Sequence, residues 1–182
     1  MTTLRWSLVV VLAAVVPAPA LACGFCLSLT GNPLTLPHPK AIEIAVATRS
    51  AIEKGQLNEK RLFPQETVFE SGSGLIALSK VPAPLLVKAW AKKCGCPRKG
   101  QAPWNVHFLF IDTDEACGLS LRGGAVVFEA KPSAHSDALV VTTRIAFAAL
   151  LNGSLGLQEA RQHGLVYLEG DACVAGVLLT GD

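Results

Sequence analysis

The sequence has almost no excess of charge of either sign. Its 182 residues include 16 lysines and arginines against 14 aspartates and glutamates, which gives a formal net charge of +2. Proteins that bind nucleic acid neutralise phosphates with a strongly basic face. The near balance therefore excludes nucleic acid from the expected partners.

The sequence also lacks the short patterns that mark common catalytic sites. It contains no G-x-S-x-G nucleophile turn, no H-E-x-x-H zinc pattern and no phosphate-binding glycine loop. Its histidines at His107 and His163 stand where packing or helix capping is the ordinary role. Nothing nominates a catalytic base, so we expect a protein that is not an enzyme.

Long apolar runs are missing except near the start of the chain. An uninterrupted apolar run from Leu8 to Val16 follows Arg5 and precedes the small residues of Ala20-Leu21-Ala22. This order is typical of a secretory signal, and the run is shorter than the ~20 residues that span a bilayer. We expect residues 1–22 to be removed, leaving a periplasmic or secreted protein without a membrane span.

Cleavage after Ala22 would make Cys23 the first mature residue. A lipid anchor on Cys23 is a less favoured alternative, because Ala20 and Leu21 stand in the reverse of the order that bacterial lipoproteins use.

The spacing of apolar residues, helical in some segments and alternating in others, divides the remaining chain into an extension and a domain. In the extension, residues 23–72, one helix is expected over about 40–54, and 56–74 has the composition of a polar connection. In the domain, residues 73–182, the periods predict helices over about 83–93, 144–151 and 155–163, and strands around 106–110, 119–121, 126–128, 139–143 and 165–169.

Short connections between strands predict an antiparallel sheet. The fold class is therefore α+β, with an antiparallel sheet of four to five strands covered by helices and an N-terminal helical, cysteine-containing extension.

A pattern of glycines and small residues in the last third of the chain resembles the sterol-carrier-protein-2 type of lipid-binding domain. The matching positions are Gly153, Leu155, Ala160, Gly164 and the run Glu169-Gly170-Asp171. The resemblance extends over roughly residues 73–182 and does not include 23–72. It implies an apolar cavity between the sheet and the helices that accepts acyl chains or sterols.

Apolar residues on both faces of the strands agree with such a cavity. Leu109 stands between Phe108 and Phe110, whereas a sheet with one wet face would carry polar residues at such places. Helices on both faces would explain the pattern equally well. The candidate ligand-binding residues are Phe108, Phe110, Leu121, Phe128, Val141, Phe147, Leu150, Leu151 and Tyr167.

Six cysteines in an exported chain permit three disulfides. The candidates are Cys23, Cys26, Cys94, Cys96, Cys117 and Cys173. One bridge between Cys117 and Cys173 would tie the sheet to the tail, and the C-x-x-C and C-x-C pairs would then join the extension to the domain.

The same paired cysteines have a second interpretation as a thiolate metal site. Cys23, Cys26, Cys94 and Cys96, with His38, would suit zinc or monovalent copper. The favoured function is an exported, non-catalytic protein that binds an apolar, lipid or sterol-like small molecule without a cofactor. The alternatives are a copper or zinc protein and a disulfide-stapled interaction module whose protein partner is unknown.

Overall fold

The computed structural model describes residues 38–69, 73–93, 103–122 and 125–170. The expected secretory signal, residues 1–22, lies outside the described residues, as do Cys23, Cys26, Cys94, Cys96 and Cys173. Among the helices of the described ranges, none has both the length and the apolar character needed to cross a bilayer.

The described part of the chain forms five α-helices and seven strands. The helices are α1 (Ala41–Glu53), α2 (Gln65–Val68), α3 (Ala83–Lys93), α4 (Arg144–Leu151) and α5 (Leu157–Gln162). The strands are β1 (Leu62–Pro64), β2 (Leu75–Ala77), β3 (Trp104–Phe110), β4 (Glu115–Arg122), β5 (Ala125–Glu129), β6 (Ala138–Thr142) and β7 (Val166–Gly170). The protein is thus of the α+β class, as expected.

The larger sheet has five strands in the order β5-β4-β3-β6-β7. Neighbouring strands are antiparallel except β3 and β6, which are parallel. The expectation of an antiparallel sheet is therefore wrong at this pair, and the sheet is mixed. After β5, residues 130–137 carry the chain back to the free edge of β3. The next strand, β6, therefore pairs with β3 and not with β5.

Two hydrogen bonds fix the start of β6 beside the start of β3. The Asp137 N–H donates to the Asn105 carbonyl (2.8 Å), and the Asp137 carboxylate accepts from the Asn105 N–H (2.7 Å). Val106 then pairs with Ala138, and the two strands run in the same direction.

The segment 56–74 contains regular structure that its sequence does not predict. β1 and β2 pair as a small antiparallel sheet, with Phe63 opposite Ile76 and the Phe63 side chain buried. The interpretation of 56–74 as a plain connection is wrong here. Three-residue strands in a mostly polar segment are too short to show an alternating period.

One face of the larger sheet is covered by α3 and α4. Alternate residues of β3 point to this face, and with the apolar residues of both helices they form what we call the large cluster. Its buried members from the larger sheet are Trp104, Val106, Phe108, Phe110, Cys117, Leu119, Leu121, Ala138, Val140 and Val166.

The opposite face is covered in part by α1. Ala41 and Ile44 of α1 form a second apolar group, the small cluster, with Ile111 and Val141. One turn after Ile44, the hydroxyl of Thr48 on α1 lies 3.3 Å from the hydroxyl of Thr143, which follows β6, and both residues are buried. The helix of the extension therefore packs on the domain, and helices lie on both faces of the sheet.

The start of α4 is fixed by side chains from two different strand ends. The Thr143 hydroxyl accepts from the Ala146 N–H (3.3 Å), and the Asp112 carboxylate accepts from the Arg144 N–H (3.0 Å). Both bonds satisfy N–H groups that have no partner within the helix. They also place Asp112 and Arg144 at the same end of the sheet.

Candidate functional site

Most of the predicted ligand-binding residues meet in the large cluster. Its fully or almost fully buried members among them are Phe108, Phe110, Leu121, Phe147, Leu150 and Leu151. Phe128 is half-buried and packs against the same cluster. Val141 and Tyr167 instead belong to the small cluster on the other face. The structure therefore brings together seven of the nine predicted residues.

Phe147 lies at the centre of the large cluster. Its ring centroid is 5.6 Å from that of Phe108, 5.5 Å from that of Phe110 and 5.5 Å from that of Trp90. Phe108 and Phe110 each contact the Phe147 ring edge to face. Trp90 belongs to the helix that the sequence predicts over about 83–93 and is not among the predicted ligand-binding residues. Its ring joins α3 to α4 through Phe147.

The large cluster continues to the protein surface beside the edge strand β5. Val126 and Phe128 of β5, and Leu85 and Ala91 of α3, are half-buried and pack against it. α3 also contacts β5 directly. Half-buried apolar side chains of α3 and β5 therefore border the cluster that contains the buried aromatic rings.

His38 has both ring nitrogens engaged. Nδ1 accepts from the Lys40 N–H (3.1 Å), Nε2 lies 3.4 Å from the Glu169 carboxylate, and the ring lies against that of Tyr167 with centroids 5.3 Å apart. An accepting Nδ1 places the proton of the neutral ring on Nε2. This arrangement gives no support to His38 as a metal ligand, and the four cysteines of that hypothesis lie outside the described residues.

His107 lies on the sheet face opposite the large cluster. Burial lowers the pKa of His107, and the neighbouring Glu129 and His135 have smaller, opposed effects. Its Nε2 is buried without a hydrogen-bond partner in the described part of the chain. Across these same residues, no group of three histidine, cysteine or acidic side chains is placed to hold a metal ion.

Cys117 lies inside β4, opposite Phe108, and not between two strands as the expected strands around 106–110 and 119–121 indicate. Its side chain is fully buried in the large cluster. Burial, assisted by the Glu115 carboxylate, raises the pKa of the Cys117 thiol to about 12. The thiol therefore stays protonated at physiological pH.

We expect iodoacetamide at mildly alkaline pH to leave Cys117 unmodified in the folded, reduced protein and to modify it in urea. The thiolate is the reacting species, and folding removes both the thiolate and access to it. Peptide mass spectrometry after each treatment measures the result. Equal modification in both states would contradict the buried placement of Cys117.

A groove of about 420 Å³ opens at the end of the sheet where β3 and β6 stop. Its walls come from α1, from the segments around residues 60 and 79, and from the start of α4. The lining residues are Thr48, Arg49, Ile52, Glu59, Lys60, Leu78, Ser79, Asp112, Thr143, Arg144 and Ile145. No pattern in the sequence indicated this groove, because its residues come from five separate segments.

No protein-family model and no curated protein matches the chain. Among solved structures, a stereoselective inverting sec-alkylsulfatase from Pseudomonas sp. is 23% identical over 42% of this chain, with a TM-score of 0.40. A double mutant of that sulfatase is 19% identical over 56% of this chain, with a TM-score of 0.49. The matched regions amount to only 12% and 16% of the sulfatase chains.

Two structures of sterol carrier protein 2-like 2 from Aedes aegypti are also similar. The crystal structure is 19% identical over 52% of this chain and 90% of its own, with a TM-score of 0.40. The solution structure of the palmitated protein is 20% identical over 52% of this chain and 87% of its own, with a TM-score of 0.41. The chain is an α+β protein, and its likeness to sterol carrier protein 2-like structures extends over about half of its length.

Proposed function

We propose that the protein is an exported, non-catalytic carrier that binds an apolar, lipid or sterol-like ligand between the five-stranded sheet and helices α3 and α4. The observation that carries the proposal is the continuity of the large cluster. It runs from the half-buried Val126 and Phe128 at the edge strand to the buried rings around Phe147.

The chemistry of these residues suits binding without reaction. Side chains along this path, such as Leu85, Phe128 and Trp90, are hydrocarbon or aromatic and offer a ligand apolar contact. Burial of an apolar chain there would gain about 25 cal/mol for each Å² removed from water. Pockets for such ligands are lined mainly by apolar and aromatic side chains.

A fluorescent polyene fatty acid tests the proposal. Trp90 and Trp104 both belong to the large cluster, so a bound polyene should accept excitation energy from them. We expect saturable binding to the wild-type protein, and a loss of affinity of at least about tenfold in Phe128→Glu, since a carboxylate at the entrance cannot be desolvated cheaply.

Val127→Glu is the matched control for this experiment. Val127 is the neighbouring residue on the same strand, 42% exposed, and points to the opposite face. The two variants introduce the same charge one residue apart. A difference between their affinities for the polyene is therefore due to the face of the sheet that carries the charge. Equal affinity in both variants, or no binding to the wild type, would contradict the proposal.

A further inference from the structure

The groove lies beyond the carboxyl ends of the only parallel strand pair in the described sheet. Asp112 follows β3, and Thr143 follows β6 as the N-cap of α4, whose N-terminus lies at the groove. In open α/β sheets, ligands bind in the crevice outside the carboxyl ends of the parallel strands. The N-terminus of a helix also carries a partial positive charge.

The floor of the groove is apolar. Ile52 of α1 and Ile145 of α4 are half-buried, Leu78 is buried, and all three pack in or against the large cluster. A short hydrocarbon group could therefore leave water by contact with this floor.

The wall of the groove holds a guanidinium group in a fixed position. Arg144 Nε donates to the Asp112 carboxylate (3.1 Å), and Nη1 donates to the carbonyls of Ser79 (3.3 Å) and Val81 (3.4 Å). Nη2 has no partner among the described residues. A guanidinium held in this way loses little conformational freedom when it binds an oxyanion.

Positive side chains outnumber negative ones in the lining. Arg49, Lys60 and Arg144 line the groove with Glu59 and Asp112, but Arg49 Nε already donates to the Glu53 carboxylate (2.9 Å). The two oxygens of Asp112 are already engaged by the backbone and the side chain of Arg144. Lys60 is exposed at the rim and is the cation most free to approach a ligand.

We infer that this groove is a binding site for a carboxylate that carries a short apolar chain. The carboxylate lies toward Arg144 and Lys60, and the chain lies on Ile52, Leu78 and Ile145. The cavity volume of about 420 Å³ suits a small organic acid. This site is separate from the entrance beside β5 and does not rest on the proposed function.

Hexanoate is the probe that tests the inference, with binding followed by amide chemical shifts of the full mature protein. We expect hexanoate to shift the amides of Thr48 and Ile145 in a saturable way. Acetate lacks the chain and hexylammonium lacks the anion, so each should bind at least roughly fivefold more weakly. Lys60→Ala should weaken hexanoate binding by roughly two- to fivefold.

Lys54→Ala provides the matched control, because Lys54 is an exposed lysine just after α1 that does not line the groove. It should leave hexanoate affinity unchanged. Hexylammonium that binds as tightly as hexanoate, or equal effects of Lys54→Ala and Lys60→Ala, would overturn the inference. The polyene assay reports on the entrance beside β5 and the hexanoate assay on the groove, so the failure of one proposal is distinguished from the failure of the other.

Hexadecanoate distinguishes two sources of a bound carboxylate, a long-chain lipid and a free short-chain acid. If it shifts the groove amides as hexanoate does, the carboxylate belongs to a long-chain lipid. If only hexanoate shifts them, the natural ligand is a free short-chain acid. Either result supports the carboxylate site, whereas a shift of the groove amides by neither acid would overturn it.

Discussion

Phe147→Ala is expected to lower the free energy of unfolding by about 3–5 kcal/mol. The Phe147 side chain is fully buried and contacts the rings of Phe108, Phe110 and Trp90. Its removal leaves a cavity between the sheet and both helices, and it deletes three aromatic contacts that add to simple burial. Urea unfolding followed by circular dichroism measures the change.

Phe128→Ala is the matched control for this prediction. It deletes the same atoms from a half-buried position on the edge strand, where neighbouring groups and solvent can fill the space. We expect a loss of about 1–2 kcal/mol. Equal losses for the two variants would show that Phe147 is not the centre of the core.

Gly170→Ala is expected to destabilise the protein by about 3 kcal/mol or more. Gly170 ends β7 with φ at +87°, a region that side-chain-bearing residues rarely adopt. A methyl group there would also approach the Asp137 carbonyl oxygen more closely than any non-bonded contact allows. The Asp137 backbone cannot move aside easily, because its N–H is bonded to Asn105 at the β3–β6 junction.

Gly153→Ala separates backbone strain from this collision. Gly153 has a similar φ of +74°, but a methyl group on it would meet nothing within 4 Å. We expect this variant to lose only about 1 kcal/mol, measured in the same urea titration. A Gly170→Ala variant as stable as Gly153→Ala would contradict the close approach of β7 to Asp137.

Helices were predictable because their signals are local. The expected helices over 83–93 and 144–151 coincide with α3 and α4, and the expected helix over about 40–54 corresponds to α1. In α4 the signal is an apolar run that is closed by Asn152 and Gly153. Such information needs no knowledge of distant residues.

The parallel pairing of β3 and β6 was not predictable because it depends on a distant contact. Asn105 and Asp137, which fix it, are separated by two strands in sequence. Short connections favour antiparallel neighbours, and nothing local indicates that the chain returns to the far edge of β3.

Two of the predicted ligand-binding residues, Val141 and Tyr167, lie on the other face of the sheet from the large cluster. The strand containing residues 138–142 is apolar at almost every position, so its period does not reveal which residues face α4. Phe108 pairs with Val140, so Val140 shares the face of the large cluster, whereas Val141 and its partner Tyr167 face α1. A shift of one residue moves a side chain to the opposite face.

Native and denaturing mass spectrometry of protein purified gently from the exported fraction test the central proposal most directly. We predict a native adduct of lipid mass that is released on unfolding, retained by Val127→Glu and missing from Phe128→Glu. A wild-type protein that carries no such adduct, or an adduct that Phe128→Glu retains in full, would contradict an apolar site between the sheet and α3 and α4.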